Sequence, residues 1–206
     1  MPTDSALAQT RRSLHGVAEL LLAGPQHAAS GTIRLRPLPG GFGTVEVPDL
    51  RVEGTAVVAG DRRADIDGRT PRQLAEALGI EPHDPSHLYH DSSGVGLDEV
   101  LDVDGEAAQR IAVAYAQGDA ALRAFGPVTP VLWPEHFDLG VTLDEVNYGI
   151  SPGDGSVPVP YMYVGPWNPP AVDDYWNQPY GAARELPGTV EEIVAFFEES
   201  RRRLAQ

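Results

Sequence analysis

The chain has no cysteine, which excludes disulfides, thiolate catalysis and cysteine-ligated zinc or iron–sulfur centres. That absence suits a cytoplasmic protein. It also has no lysine: all 15 basic residues are arginine, the mark of a GC-rich genome. No phosphate-binding P-loop can therefore form at Gly40-Gly41-Phe42-Gly43 or Ser92-Ser93-Gly94-Val95-Gly96, and neither run has dinucleotide-binding spacing. Both read as turns. Positive charge is scarce, and the net charge of −15 repels nucleic acid and anionic lipid. The one basic cluster, Arg201-Arg202-Arg203, complements the dipole at the end of a predicted helix. No run approaches the ~20 apolar residues of a membrane span. Thr10-Arg11-Arg12-Ser13-Leu14 resembles a twin-arginine export signal, but His15 and Glu19 interrupt the apolar stretch that should follow. An amphipathic helix explains these residues better. There is no internal repeat and no low-complexity tract.

What is present fits one α+β domain over residues 1–206. Leu7, Leu14, Val17, Ala18, Leu21 and Leu22 recur at helical spacing over 5–23, and Gly24-Pro25 should end that helix. Residues 31–67 change to a period of two, with strands expected around Ile33–Arg36, Thr44–Val47, Val52–Val58 and Arg63–Ile66. Thr70-Pro71-Arg72-Gln73 opens a second helix through a capping box and runs to Leu78. Asp104 caps a third over 105–125, in which Gly118 is a weak point where the helix can bend. Val131–Leu143 reads as a single strand, followed by a hairpin that sets Thr142 opposite Asn147 and Val141 opposite Tyr148. Asp144-Glu145 is an unfavoured turn for that hairpin and leaves its register open. Tyr161–Val164 is a further strand, 165–187 a surface wrap rich in proline and aromatics, and Thr189 caps a last helix over 189–204. The expected fold is an antiparallel sheet from about 31–67 and 131–165 covered by four helices near 5–23, 70–78, 105–125 and 189–204.

Two groups of residues could carry chemistry. Alternation along 136–143 sends His136 and Asp138 to one strand face, with Thr142 and Asn147 beside them. A histidine next to a carboxylate serves as a general base or a metal ligand, whereas the plain alternative is the solvated side of a sheet. The aromatics Tyr161, Tyr163, Trp167, Tyr175, Trp176 and Tyr180 line either a small-molecule pocket or a satellite core. His87 and His90, three apart, could complete a metal site with His136, although no zincin spacing surrounds them. No GxSxG elbow is present, and Ser151 and Ser156 lie in a turn.

Leu132-Trp133-Pro134-Glu135-His136-Phe137-Asp138, then Asn147-Tyr148-Gly149-Ile150-Ser151-Pro152-Gly153-Asp154, then Pro160-Tyr161-Met162-Tyr163-Val164-Gly165-Pro166-Trp167 form a series. It resembles a segment shared by uncharacterised bacterial proteins of unknown function with LWPxHFD, SPGD and PYxYVxPW motifs. The rest of the chain is similar to uncharacterised actinobacterial proteins, in keeping with the all-arginine bias. The likeness covers residues 132–167. It implies no activity, but it draws attention to His136, Asp138 and Asp154.

Three functions are expected from these observations. The first is a small-molecule-binding protein or enzyme whose pocket holds His136, Asp138, Asn147, Asp154, Tyr161, Tyr163 and Trp167, with His136 moving protons, Asp138 orienting it and the aromatics excluding water. The second is a metal-dependent hydrolase using His87, His90 and His136. The third is a non-catalytic interaction module or homo-oligomer that buries its aromatic surface. No cofactor, nucleic acid or membrane partner is expected.

Overall fold

The computed structural model describes residues 4–205. Helix α1 (Asp4–Val17) runs through a π-helical turn (Ala18–Ala23) into α2 (Gly24–Ser30) as one continuous rod. The helix therefore does not end at Gly24-Pro25. A proline inside a helix lacks one donor and crowds the carbonyl four residues back. Here the turn ahead of Pro25 is widened, and the Gly24 amide donates to the carbonyl of Glu19, five residues back. The ladder thus steps past the missing donor. Gly24 itself is needed for a close approach, because a Cβ there would lie 2.0 Å from the His83 carbonyl oxygen. The rod stops at Gly31, whose φ of 79° closes a left-handed cap.

Ten strands form one sheet, and every neighbouring pair is antiparallel. The first meander comprises β1 (Leu35–Leu38), β2 (Gly41–Thr44), β3 (Leu50–Glu53), β4 (Ala56–Ala59) and β5 (Arg62–Asp65). The second comprises β6 (Val131–Trp133), β7 (Asp138–Leu143), β8 (Val146–Ser151), β9 (Tyr161–Pro166) and β10 (Ala182–Glu185). The spatial order β10-β9-β8-β7-β6-β1-β2-β3-β4-β5 joins the two through their first strands, with Leu35 opposite Leu132. This is the α+β antiparallel architecture read from the sequence, with four local departures. The run Val52–Val58 is two strands turning at Gly54, whose φ is 60°. The glycine-rich 41–43 run is strand β2 rather than a turn, and Phe42 within it is core. Val45 and Val47 project outward instead of forming a strand, and β10 lies inside the segment expected only to wrap the surface.

The second and third of those departures share a cause in Gln26. Its amide is fully buried and saturated: Nε2 donates to the carbonyls of Thr32 and Arg34 at 2.9 and 2.7 Å, and Oε1 accepts from the amides of Val45 and Glu46 at 2.7 and 2.8 Å. Val45 and Glu46 spend their donors on α2 and so leave the sheet, which ends β2 at Thr44.

Helix α3 (Pro71–Leu78) has the Thr70/Gln73 capping box, and α4 (Gly105–Phe125) is capped by Asp104. Helix α5 (Val190–Leu204) is capped by Thr189. Helix α4 lies across β1, β2, β7 and β8 and is flanked by α1 and α5. It passes Gly118 without a break. A Cβ on Gly118 would sit 2.5 Å from Ile150 Cγ1, so the glycine serves close helix–sheet packing rather than a bend. A single hydrophobic core runs under both meanders. No helix among the described residues is long and apolar enough to cross a membrane.

Candidate functional site

The β7–β8 register decides which residues face away from α4. Leu139 pairs with Ile150, and both meet Gly118 of the helix. Opposite residues share a face, so Asp138, Gly140, Asn147, Gly149 and Ser151 lie on the other side. Thr142 is opposite Asn147 and Val141 opposite Tyr148, as the alternation requires. Asp144 and Glu145 accommodate the two-residue turn by adopting φ of 51° and 63°, the left-handed values of a type I′ hairpin. Tyr161, Tyr163 and Gly165 of β9 continue the outward face.

Over this face lies a cavity of about 860 Å³. The Tyr163 ring lines it and covers bare backbone at Gly149, where a Cβ would come within 2.5 Å of that ring. Tyr163 therefore lies across β8 and donates a short hydrogen bond to Asp138 Oδ2 on β7. Asp138 is 9% exposed, and its second oxygen, Oδ1, is buried with no hydrogen-bond partner among the described residues. Burial raises its pKa, against the opposing hydrogen bond from Tyr163 and the field of His136. Burial and the neighbouring carboxyl also push the Tyr163 phenol well above its ordinary value. The site thus contains a carboxyl fixed on one side, buried without a partner on the other, and biased toward its neutral form.

The other sequence candidates reach the same cavity by different routes. His136 is not on a strand. Val131–Leu143 is interrupted by a turn over 134–137, and Phe137 takes φ of 52°. This left-handed residue breaks the alternation expected along 136–143 and drives its ring into the core, 1% exposed. Asp138 does not orient His136, because Tyr163 holds the carboxyl. The imidazole instead lies 3.7 Å from both Asp91 and Glu135, with its side chain 54% exposed. Asn147 lines the cavity and accepts a 2.7 Å bond from Thr142. Asp154 closes the bend over 154–157 rather than a 151–154 turn, taking the amides of Ser156 and Val157 on Oδ1 and the Tyr161 hydroxyl on Oδ2 at 2.6 Å. Burial opposes its charge, but these bonds outweigh burial and hold its carboxyl below the usual range. Trp167, 62% exposed, and Tyr180 also line the cavity. Tyr175 and Trp176 are absent from its lining: they pack on each other, and Tyr175 bonds Ser200 of α5.

His87 and His90 do not line the cavity. His87 caps back to the Asp84 carbonyl at 3.3 Å. Among the described residues no three histidine, aspartate or glutamate side chains are grouped to hold a metal ion, so His87, His90 and His136 do not form a ligand set.

Sequence reasoning missed one wall. Arg11, Arg12 and His15 of α1 line the cavity, as do Asp91, Ser92 and Ser93 of the long connection. The i, i+4 spacing of Arg11 and His15, which puts both on one face of the helix, was the available signal. Arg12 is held by Glu99 and the Gly94 carbonyl. Arg11 makes a long 3.4 Å bond to the Pro158 carbonyl, and burial lowers its pKa against the pull of Asp154. Buried Glu19, in the π-helical turn, ties down the connection by accepting from Tyr89 at 2.9 Å and from the amide and hydroxyl of Ser93 at 3.0 and 2.5 Å.

His15 stacks on Phe137 with ring centres 5.2 Å apart and bonds the Pro134 carbonyl at 2.5 Å. Burial lowers its pKa from 6.5 to about 4, outweighing that bond, with His136 and Arg11 adding to the shift. Glu19 at 3.7 Å does not reverse this. The folded state then binds fewer protons than the unfolded chain between these pH values. Stability should therefore fall as pH drops from about 6.5 to 4, by about 3 kcal/mol when complete. Glu19 and Asp138, whose carboxyls are raised by burial, slope the other way. Urea unfolding of the wild type and of His15→Gln at pH 7 and pH 4.5 isolates the imidazole. The variant should lose less stability on acidification, and equal losses would show that His15 is not buried neutral.

Compared with protein-family models, with curated proteins and with solved structures, the chain matches none.

Proposed function

We propose that the chain binds a small molecule in the cavity over β7–β9, where His136 and Asp138 can move a proton on that molecule. The observation that supports this best is Asp138 Oδ1. A buried carboxyl oxygen without a partner costs about 1–3 kcal/mol or more, and a fold tolerates that at a place where a ligand completes the bond. The volume of about 860 Å³ lies within the ~300–1,000 Å³ of small-molecule sites. Left-handed Phe137 lines the cavity, and Glu19 of the π-helical turn holds Ser93 of its wall; such irregularities gather at functional sites. His136 is half-exposed and can exchange protons with solvent, while Tyr163 holds Asp138 in place. The exposed faces of Trp167 and Tyr180 form part of the cavity wall, so they serve this reading rather than a separate interaction surface. A cytoplasmic setting and the likeness to uncharacterised bacterial proteins remain part of the proposal.

The test is a ligand-observed NMR screen of small polar metabolites against the full chain, repeated with Asp138→Asn and Trp167→Ala. Hits should weaken at least tenfold in Asp138→Asn while the variant keeps the wild-type fold. Hits indifferent to both substitutions, or none at all, would remove the cavity as a binding site.

A further inference from the structure

Resting on the binding role just given to the cavity, we propose that its ligand is an organic cation, a small ammonium compound whose N–H groups dock at the Asp138 carboxyl among the rings of Tyr161, Tyr163 and Trp167. Three observations converge on this class. Tyr163 occupies Oδ2, so the carboxyl presents only one acceptor, and that acceptor is buried and unpartnered. A donor carrying positive charge satisfies both its hydrogen bond and its charge.

The charges on the walls point the same way. Asp91, Glu135, Asp138 and Asp154 line the cavity against Arg11 and Arg12. Glu99, outside the lining, already holds Arg12, and Arg11 lies in the field of Asp154. The remaining carboxylates, Asp91 on the connection and Glu135 on the turn that leads into Asp138, flank His136. An anionic ligand would meet this negative edge. Aromatic rings attract a desolvated cation through their faces, and four with polar tips, Tyr161, Tyr163, Trp167 and Tyr180, line this one space. The chain as a whole carries −15, which raises the local concentration of cations and lowers that of anions.

The class has a pH signature. In the empty cavity Asp138 is biased toward the neutral acid. Its charged and titratable surroundings are Tyr163 on β9, Glu135 and His136 on the turn, Arg11 and His15 on α1, Tyr115 on α4 and Asp91 on the connection. Docking a cation favours the carboxylate, so binding releases a proton and affinity falls on acidification. A neutral polyol would show no such coupling.

The experiment titrates the full chain with n-butylammonium chloride, with 1-pentanol as the neutral near-isostere, with sodium butyrate and with glucose, at matched ionic strength. The readout is the NMR shifts of the Trp167 indole and of the amides around Asp138, at pH 7.5 and pH 5. Butylammonium should bind in the cavity at least tenfold more tightly than the other three and weaken several-fold at pH 5. Asp138→Asn should abolish that preference. Asp91→Asn, on the exposed rim, should reduce it a few-fold without touching the core and so guards against a folding defect in the first variant. Equal or tighter binding of pentanol, butyrate or glucose, or butylammonium binding unaffected by Asp138→Asn, would overturn the cationic class while leaving the cavity a binding site. Failure of all four probes to shift cavity resonances, together with an empty metabolite screen, would overturn the binding role itself.

Discussion

Phe137→Ala is expected to destabilise the protein by about 3–5 kcal/mol, the cost of emptying a buried aromatic site. The ring is 1% exposed. It sits edge-on to Phe42 and Tyr115 with centres 5.4 and 5.6 Å away, and His15 stacks on its other side at 5.2 Å. Its backbone is anchored as well, because the buried Tyr115 hydroxyl donates to the Phe137 carbonyl at 2.7 Å. A second comparison makes the claim specific. At φ of 52° a Cβ is strained, so glycine gains about 1 kcal/mol in the folded state that alanine does not. Phe137→Gly should therefore be no less stable than Phe137→Ala, the reverse of the order in ordinary backbone. Urea denaturation of both variants checks this. A loss below 1 kcal/mol for alanine, or glycine clearly worse than alanine, would contradict the turn geometry that carries His136 and Asp138.

Gln26→Leu should cost about 3–4 kcal/mol. Leucine keeps the bulk but strands four backbone groups, the carbonyls of Thr32 and Arg34 and the amides of Val45 and Glu46. Each unpaired buried group costs about 1–3 kcal/mol, but Val45 and Glu46 are exposed enough for water to reach, which reduces the sum. Gln26→Glu keeps the acceptor for the two amides and sets lone pairs against the two carbonyls, so it should also destabilise and recover partly in acid, where a protonated carboxyl regains one donor. Hydrogen exchange at Val45 and Glu46 should rise in the leucine variant before exchange in β7 and β8 does. Unchanged protection there would show that the amide clamp does not hold the end of β2.

The residues differ in how far they could be read in advance. Thr70, Asp104 and Thr189 announced their helices because a cap acts on amides two or three positions away, wholly within a local stretch of chain. The β7–β8 register was legible only as a condition: a period of two determines every pair once one is set, and the Asp144-Glu145 turn left that first pair open. Phe137 gave no such warning. Nothing local favours a left-handed phenylalanine, and what holds it there is a pocket built from residues 15, 42 and 115. Pro25 misled for a related reason: the widened turn that tolerates it packs in the core, and local propensity does not register core packing.

His136, Asp138, Asn147, Asp154, Tyr161, Tyr163 and Trp167 share one cavity because their motifs fall on adjacent strands of one hairpin series or on the loops directly beside them. The opposite wall could not be seen from those motifs. Arg11 and His15 are more than a hundred residues away from Asp154 and Pro134, and only the docking of α1 brings them together.

The sequence by itself determined the class of fold, the caps and the alternation that sends Asp138 and Asn147 outward, all of which follow from interactions between near neighbours or from strict alternation. Only the tertiary structure decided that Asp138 pairs with Tyr163 rather than His136, that one of its oxygens is left without a partner, and that arginines from the first helix close the cavity. Those outcomes depend on glycines 140 and 149 leaving room for a ring to cross the sheet and on contacts between distant segments, and neither is encoded in any local period.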